Sequence, residues 1–219
     1  MEDTGGYFSS SGLFPTSTSN GGGIVQRSPT LGEILNPVPP RVKSHTLNTR
    51  EEAGDLILPD GVAVPVRAIR PDDARALQGL HGRLSELSIR LRYHSDMKEL
   101  RDRMAKHFAC VDGVNRFALV ALGPEKQDQI IAVVRFDRQG DTDKGEYAAL
   151  VEDRWQGRGL GLAMTYQLID VARDKGMRHL YGLVLSENKP MLKLLRSLDL
   201  PKREHRVKGT KYVEIDLAA

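Results

Sequence analysis

The run Gln156-Gly157-Arg158-Gly159-Leu160-Gly161 follows an apolar alternating segment and opens a segment of helical spacing. A strand that turns through glycines into a helix presents unpaired backbone N–H groups and the positive end of a helix dipole, which together make an anion cradle. Gly157, Gly159 and Gly161 keep side chains away where a pyrophosphate would lie against the backbone, and Arg158 adds charge at the rim. A dinucleotide fingerprint, G-x-G-x-x-G, is excluded because its third glycine, counted from Gly157, falls on Leu162; a P-loop is excluded because no Gly-Lys-Ser/Thr follows. The other reactive side chains do not cluster. His94, His107 and the remaining histidines show no paired spacing, so no metal site is expected. Cys110, beside Ala109 and Val111, reads as a small buried hydrophobe rather than a nucleophile.

The elements that would position this cradle can be read from periodicity. Leu56 to Gly61 reads as a turn and Val62 to Ile69 as a half-buried strand. Pro71-Asp72-Asp73 starts a helix, with acidic residues at the positive end of its dipole, and apolar spacing continues through Ala74 to Leu84 and Leu87 to Tyr93. Three strands are expected at Phe117 to Leu122, Ile130 to Phe136 and Glu146 to Val151, separated by turns at Gly123-Pro124 and Gly140-Asp141. Beyond the cradle, Leu160, Met164, Leu168, Val171 and Ala172 mark one face of a helix that should stop at Gly176. A strand from His179 to Leu185, a helix from about Asn188 to Leu198, and a hairpin turning at Gly209-Thr210 complete an α/β order with no internal repeat.

Bulk composition bounds the class. The chain has 219 residues, 40% hydrophobic and 28% charged, enough for one well-buried domain with an appendage. Its formal net charge of +3 arises from nearly balanced acids and bases, which gives no reason to expect nucleic acid or an anionic membrane as partner. One cysteine rules out an intramolecular disulfide, and the absence of a long apolar run or a signal-like start leads to the expectation of a cytoplasmic protein. Residues 1–52, rich in Ser, Gly, Thr and Pro, read as a disordered low-complexity tail, within which Leu31 to Leu35 could dock on a partner.

Gln156, Gly159 and Gly161 satisfy the pattern Gln/Arg-x-x-Gly-x-Gly/Ala, and from about Leu58 to Leu217 the chain resembles the GNAT superfamily of acyl-CoA-dependent N-acyltransferases. Within it, four stretches are similar to the catalytic domain of Pat-type bacterial protein-lysine acetyltransferases. They are Leu58 to Gly61 with Val66 to Ala74, Leu84 to Ser88 with Arg90 to Tyr93, Glu146 with Trp155 to Gly159, and Glu187 to Leu192. The resemblance implies a GNAT fold over residues 53–219, a mixed, mostly antiparallel sheet splayed at its fourth strand and flanked by helices. It implies acetyl-CoA as acyl donor and no metal. Backbone groups of Ala149, Leu150 and Val151 would pair with the pantetheine amides, and Gln156, Gly157, Arg158, Gly159, Leu160 and Gly161 would hold the pyrophosphate. Asn188 would touch the pantetheine arm, or cap a helix, or both. Glu146, nine residues before Trp155, takes the place of the family's catalytic glutamate; read without the resemblance, it is an exposed strand-end carboxylate.

The implied reaction needs such a base, because a lysine of pKa about 10.4 is an ammonium ion at neutral pH. A backbone N–H near Leu150 and Val151 would stabilise the oxyanion. Where relatives carry a tyrosine to protonate the leaving sulfur, this chain has Leu195, leaving Tyr181, Tyr147 or solvent for that role. The expected acceptor is a lysine on a protein, an acyl-CoA synthetase by resemblance. The alternatives are a small-molecule amine acetyltransferase and an acyl-CoA-sensing module with little turnover.

Overall fold

The structure is a computed structural model that describes residues 54–218; the expected tail, with its Leu31 to Leu35 run, lies outside the described residues. Among the described residues eight strands form one sheet: β1 (Gly54–Ile57), β2 (Ala63–Ala68), β3 (Arg116–Gly123), β4 (Lys126–Arg138), β5 (Lys144–Val151), β6 (His179–Leu185), β7 (Lys202–Val207) and β8 (Thr210–Asp216). Their spatial order is β1-β2-β3-β4-β5-β6-β8-β7. All neighbours are antiparallel except β5 and β6. Gly54–Ile57, expected to lead into a turn, instead pairs with β2 as an extra edge strand, so the divergence expected at the fourth strand falls at the fifth.

Among the described residues five α-helices cover the sheet: α1 (Ala74–His81), α2 (Glu86–Tyr93), α3 (Asp102–Ala109), α4 (Leu160–Asp174) and α5 (Lys189–Ser197). Alternation along the strands sorts the core into two layers. Leu119, Val134, Phe136 and Tyr147 pack toward Met164, Leu168 and Leu195 of α4 and α5. Ala118, Val120, Ile130 and Leu150 face Leu77, Leu80 and Ala105 of α1 and α3. Helix α3 was not expected from the sequence, although Met104, Ala105, Phe108 and Ala109 carry its apolar spacing. Cys110 caps that helix and is exposed, contrary to its reading as a buried hydrophobe, because the helix ends where the chain leaves the core.

Helix boundaries follow local chemistry. Before α1, the carboxylate of Asp73 accepts the Arg70 N–H at 2.7 Å and takes both guanidinium arms of Arg67 at 2.7 Å each. Ser85 caps α2 by accepting the Ser88 N–H at 3.2 Å. Gly176, with φ +75°, follows the end of α4 as expected. Among the described residues no helix is long and apolar enough to cross a membrane.

Candidate active site

The site is created by a failure of strand pairing. β5 and β6 run parallel and pair only at Lys144↔His179, Gly145↔Leu180 and Glu146↔Tyr181, after which β5 continues to Val151 with β4 alone beside it. Gln139 N–H donates to Lys144 O at 2.8 Å and Glu152 N–H to Ile131 O at 2.9 Å, so the even-numbered residues of β5 belong to the β4 ladder. By alternation, Ala149 and Val151 turn their N–H and C=O groups into the opening, together with the C=O of Tyr147, whose N–H completes the last pairing with β6. Leu150 departs from its expected role here: its backbone points at β4, and its side chain is buried beneath α1 and α3. A strand of period two can offer only alternate residues to one edge.

Above the opening the chain passes through a 3-10 turn (Asp153–Trp155) and the glycines into α4. Gly157 and Gly159 have φ of +73° and +86°, a region in which side chains are strained. Gly159 is the N-cap of α4 and no side chain caps it, so the first N–H groups of the helix point outward. A Cβ on Gly159 would lie 3.3 Å from Pro59, and one on Gly161 would lie 3.1 Å from Leu194 and 3.4 Å from Val151. Gly161 therefore makes room for packing between α4, α5 and β5. The side chain of Leu160 is buried, leaving only its backbone at the rim.

Two rim side chains are held by protein partners. Arg158 pairs with Asp60, its Nε donating at 2.8 Å, and stacks 4.3 Å over the ring of buried Trp155. Gln156 Nε2 donates to Val151 O at 3.0 Å and to Ser88 Oγ at 3.2 Å, closing off one backbone acceptor of the opening.

Helix α2 spans the opening. The Asp153 carboxylate accepts from Ser85 N–H (2.9 Å), Ser85 Oγ (2.8 Å) and Ser88 Oγ (2.7 Å), tying the start of α2 to the exit of β5. Burial opposes the charge of Asp153, but these donors outweigh it and hold the pKa below the usual carboxylate value. At the other end Asn188 Nδ2 reaches Leu91 O at 3.5 Å, and Arg90 pairs with Glu187 at 3.3 Å. Asn188 Oδ1 accepts the Met191 N–H at 3.1 Å, so the cap reading holds and its amide also braces α2. Ser85, Ser88 and Asp153 were not expected at the site; the Ser-x-x-Ser spacing before an apolar run is the signal that marks the cap.

Glu146, half-buried, is the last residue of β5 paired with β6, at the floor of the opening. Opposite it is Tyr181, whose phenol is pushed up to about 12 by burial and by the negative charges of Glu146 and Asp137. Tyr181 stacks on Tyr212 with centroids 5.2 Å apart. Tyr147 lies on the opposite face, its hydroxyl 2.8 Å from Thr165 Oγ1, and burial raises its pKa. Leu195 is buried in the core under α4. A carboxylate and a protonated phenol at the floor, free backbone groups along one wall and helix N–H groups at the top suit an extended ligand with an anionic head and a reactive far end.

Comparison with known proteins agrees with this geometry. Residues 64–200, more than half of the chain, match the model of the acetyltransferase (GNAT) domain family. The GNAT domain of PAT from S. lividans superposes with a TM-score of 0.70 at 30% identity, covering 75% of this chain and 96% of that one. The Pseudomonas aeruginosa protein named acetyltransferase PA5475 is 28% identical over 142 residues, 64% of this chain and 76% of its own. A Salmonella typhimurium structure that holds its cofactor acetyl-CoA shares the fold at 18% identity and a TM-score of 0.57, over 70% of this chain and 94% of that one. The chain thus belongs to the GNAT acetyltransferases and is an acyl-CoA-dependent N-acetyltransferase.

Proposed function

We propose that the protein transfers an acetyl group from acetyl-CoA to a lysine side chain of another cytoplasmic protein, such as an acyl-CoA synthetase, with Glu146 as general base. The observation that carries this reading is the position of Glu146 at the floor of the β5/β6 opening, at the far end from the uncapped N-terminus of α4. The pyrophosphate would lie on the N–H groups of Gly157 to Gly161, and the pantetheine amides would pair with Ala149 and Val151, displacing the Gln156 side chain from Val151 O. Asn188 and Arg158 would order the loops on either side. Glu146 removes a proton from the lysine ammonium, the amine attacks the thioester carbon, and a strand N–H facing the opening receives the oxyanion. Collapse breaks the C–S bond. Tyr181, at about 12, holds its proton more tightly than a thiol of pKa about 8.5, so it serves the departing thiolate as a hydrogen-bond donor rather than an acid. A module that only sensed acyl-CoA would have no use for a carboxylate at this floor.

The test is to incubate the protein and Glu146→Gln with labelled acetyl-CoA and cell lysate. Glutamine keeps the side chain's shape but cannot take a proton at neutral pH. Labelled protein bands should appear with the native enzyme, and on a confirmed substrate the variant should lose at least about 10²-fold in kcat with acetyl-CoA affinity little changed. Label confined to small molecules would overturn the protein acceptor, and a near-normal kcat would overturn the base.

A further inference from the structure

Arg135 is only 5% exposed, and among the described residues its buried Nε and Nη2 have no hydrogen-bond partner. Its Nη1 reaches Phe108 O at 3.4 Å, and its guanidinium lies 4.9 Å over the Phe108 ring. Among the described residues its counter-charge is Asp137 Oδ1, which stands 3.6 Å from Nη2, too far for a hydrogen bond, and is shared with Arg116 at 3.8 Å. Arg92 approaches from α2 with its guanidinium 5.1 Å over Tyr93. Arg116 and Arg135 thus share Asp137, which pairs with Glu146 across the ladder, and the charges of Arg92 and Arg116 both act against that of Arg135. Burial lowers the Arg135 pKa to about 10, which leaves it charged at neutral pH. A buried charge with open donors is costly unless an anion meets it.

A cavity of about 20 Å³, room for a water-sized group, lies beside this guanidinium, lined also by Arg92, Tyr93, Phe108 and Leu150. Its place on the sheet is fixed by register. Arg135 pairs with Ala148 and Val133 with Leu150, so the cavity borders β5 between Glu146 and Val151, the stretch whose other edge forms the opening to β6.

We propose that this cavity beneath α1, α2 and α3 is a carboxylate-binding site in which Arg135 and Arg92 hold an anionic group attached to one of the reactants. The inference rests on the reading that the thioester lies along β5. Two sources share the chemistry: the distal carboxylate of a dicarboxylic acyl group on CoA, or a carboxylate on the acceptor next to the reacting amine. A planar guanidinium with two free donors matches either.

Calorimetry on the full chain with acetyl-CoA, butyryl-CoA and succinyl-CoA tests the donor. The two longer chains have equal carbon count and differ in charge, so a carboxylate site in the donor path should favour succinyl-CoA at least about tenfold. Acetyl transfer to two short lysine peptides, with Glu or Gln beside the lysine, tests the acceptor in the same way through kcat/KM. Arg135→Met, which fills the volume without the charge, should abolish whichever preference exists and leave acetyl-CoA affinity unchanged, whereas Arg135→Lys should keep part of it. The two native-enzyme comparisons stand even if a variant fails to fold. Absence of preference in both arms, or a preference that survives Arg135→Met, overturns the site. If no CoA thioester binds at all, the reading of the opening as the thioester site fails first, and this inference falls with it.

Discussion

At the scale of single residues, the glycines of the cradle have separable tasks. Gly157 has a left-handed backbone and open space around its Cα, Gly159 combines such a backbone with contact to Pro59, and Gly161 is a packing glycine inside a helix. A bulky acid at Gly161 would disturb Leu194 and Val151 before it met any ligand, so it cannot separate binding from folding. Gly157 can. Asn and Asp tolerate a left-handed backbone better than other residues and are almost isosteric. Gly157→Asn and Gly157→Asp should therefore melt at similar temperatures, while the aspartate weakens acetyl-CoA binding by calorimetry at least about tenfold relative to the asparagine, through repulsion of the pyrophosphate. Equal affinities would place the pyrophosphate elsewhere.

At the scale of elements, α1 and α2 are held less by intrinsic helix preference than by carboxylates at their entrances. Asp73 has side-chain exposure of 8% against 13% for Arg67. Burial alone would raise its pKa, but the Arg67 guanidinium and the Arg70 N–H outweigh burial and bring it below the ordinary value. A carboxylate whose pKa is depressed by folding stabilises the protein fully above its unfolded value, about 3.9, and loses that contribution as pH falls through the folded value. Asp73→Asn should accordingly lower stability at neutral pH by about 1–3 kcal/mol, leaving Arg67 unpaired. The difference in melting temperature from the native chain should persist down to about pH 4 and close below it. A gap that is constant into stronger acid would assign the loss to packing rather than charge. The comparable tie of Asp153 to Ser85 and Ser88 holds α2 across the opening, so the site's roof depends on hydrogen bonds made by three exposed or half-exposed polar groups.

At the scale of the whole molecule, the core clusters of the described residues run from Leu56 to Leu217 and use both faces of one sheet. The first 52 residues carry no apolar periodicity, and we propose that they add nothing to this core. Deleting residues 1–48 should leave the melting temperature and the acetyl-CoA affinity unchanged; a large drop in either would show that the segment packs on the domain.

The sequence by itself determined the elements whose signals are local. Alternation marked β2 to β6, glycine marked the end of α4, and the hairpin turn at Gly209 was legible because strand and helix periods and turn chemistry act over a few neighbours. The glycine turn into α4 was legible for the same reason, being one continuous run. What the tertiary structure decided was everything that depends on pairing and direction. Which of Ala149, Leu150 and Val151 faces the opening follows from the register of β4 against β5, and a one-residue slip would reverse it. Gly54–Ile57 became a strand only because β2 offers it an edge, and Gly161 became a packing residue only because α5 lies beside it. Arg135 reads in sequence as one polar residue on a strand; only the closure of α1, α2 and α3 over it makes it a buried charge with two donors left open.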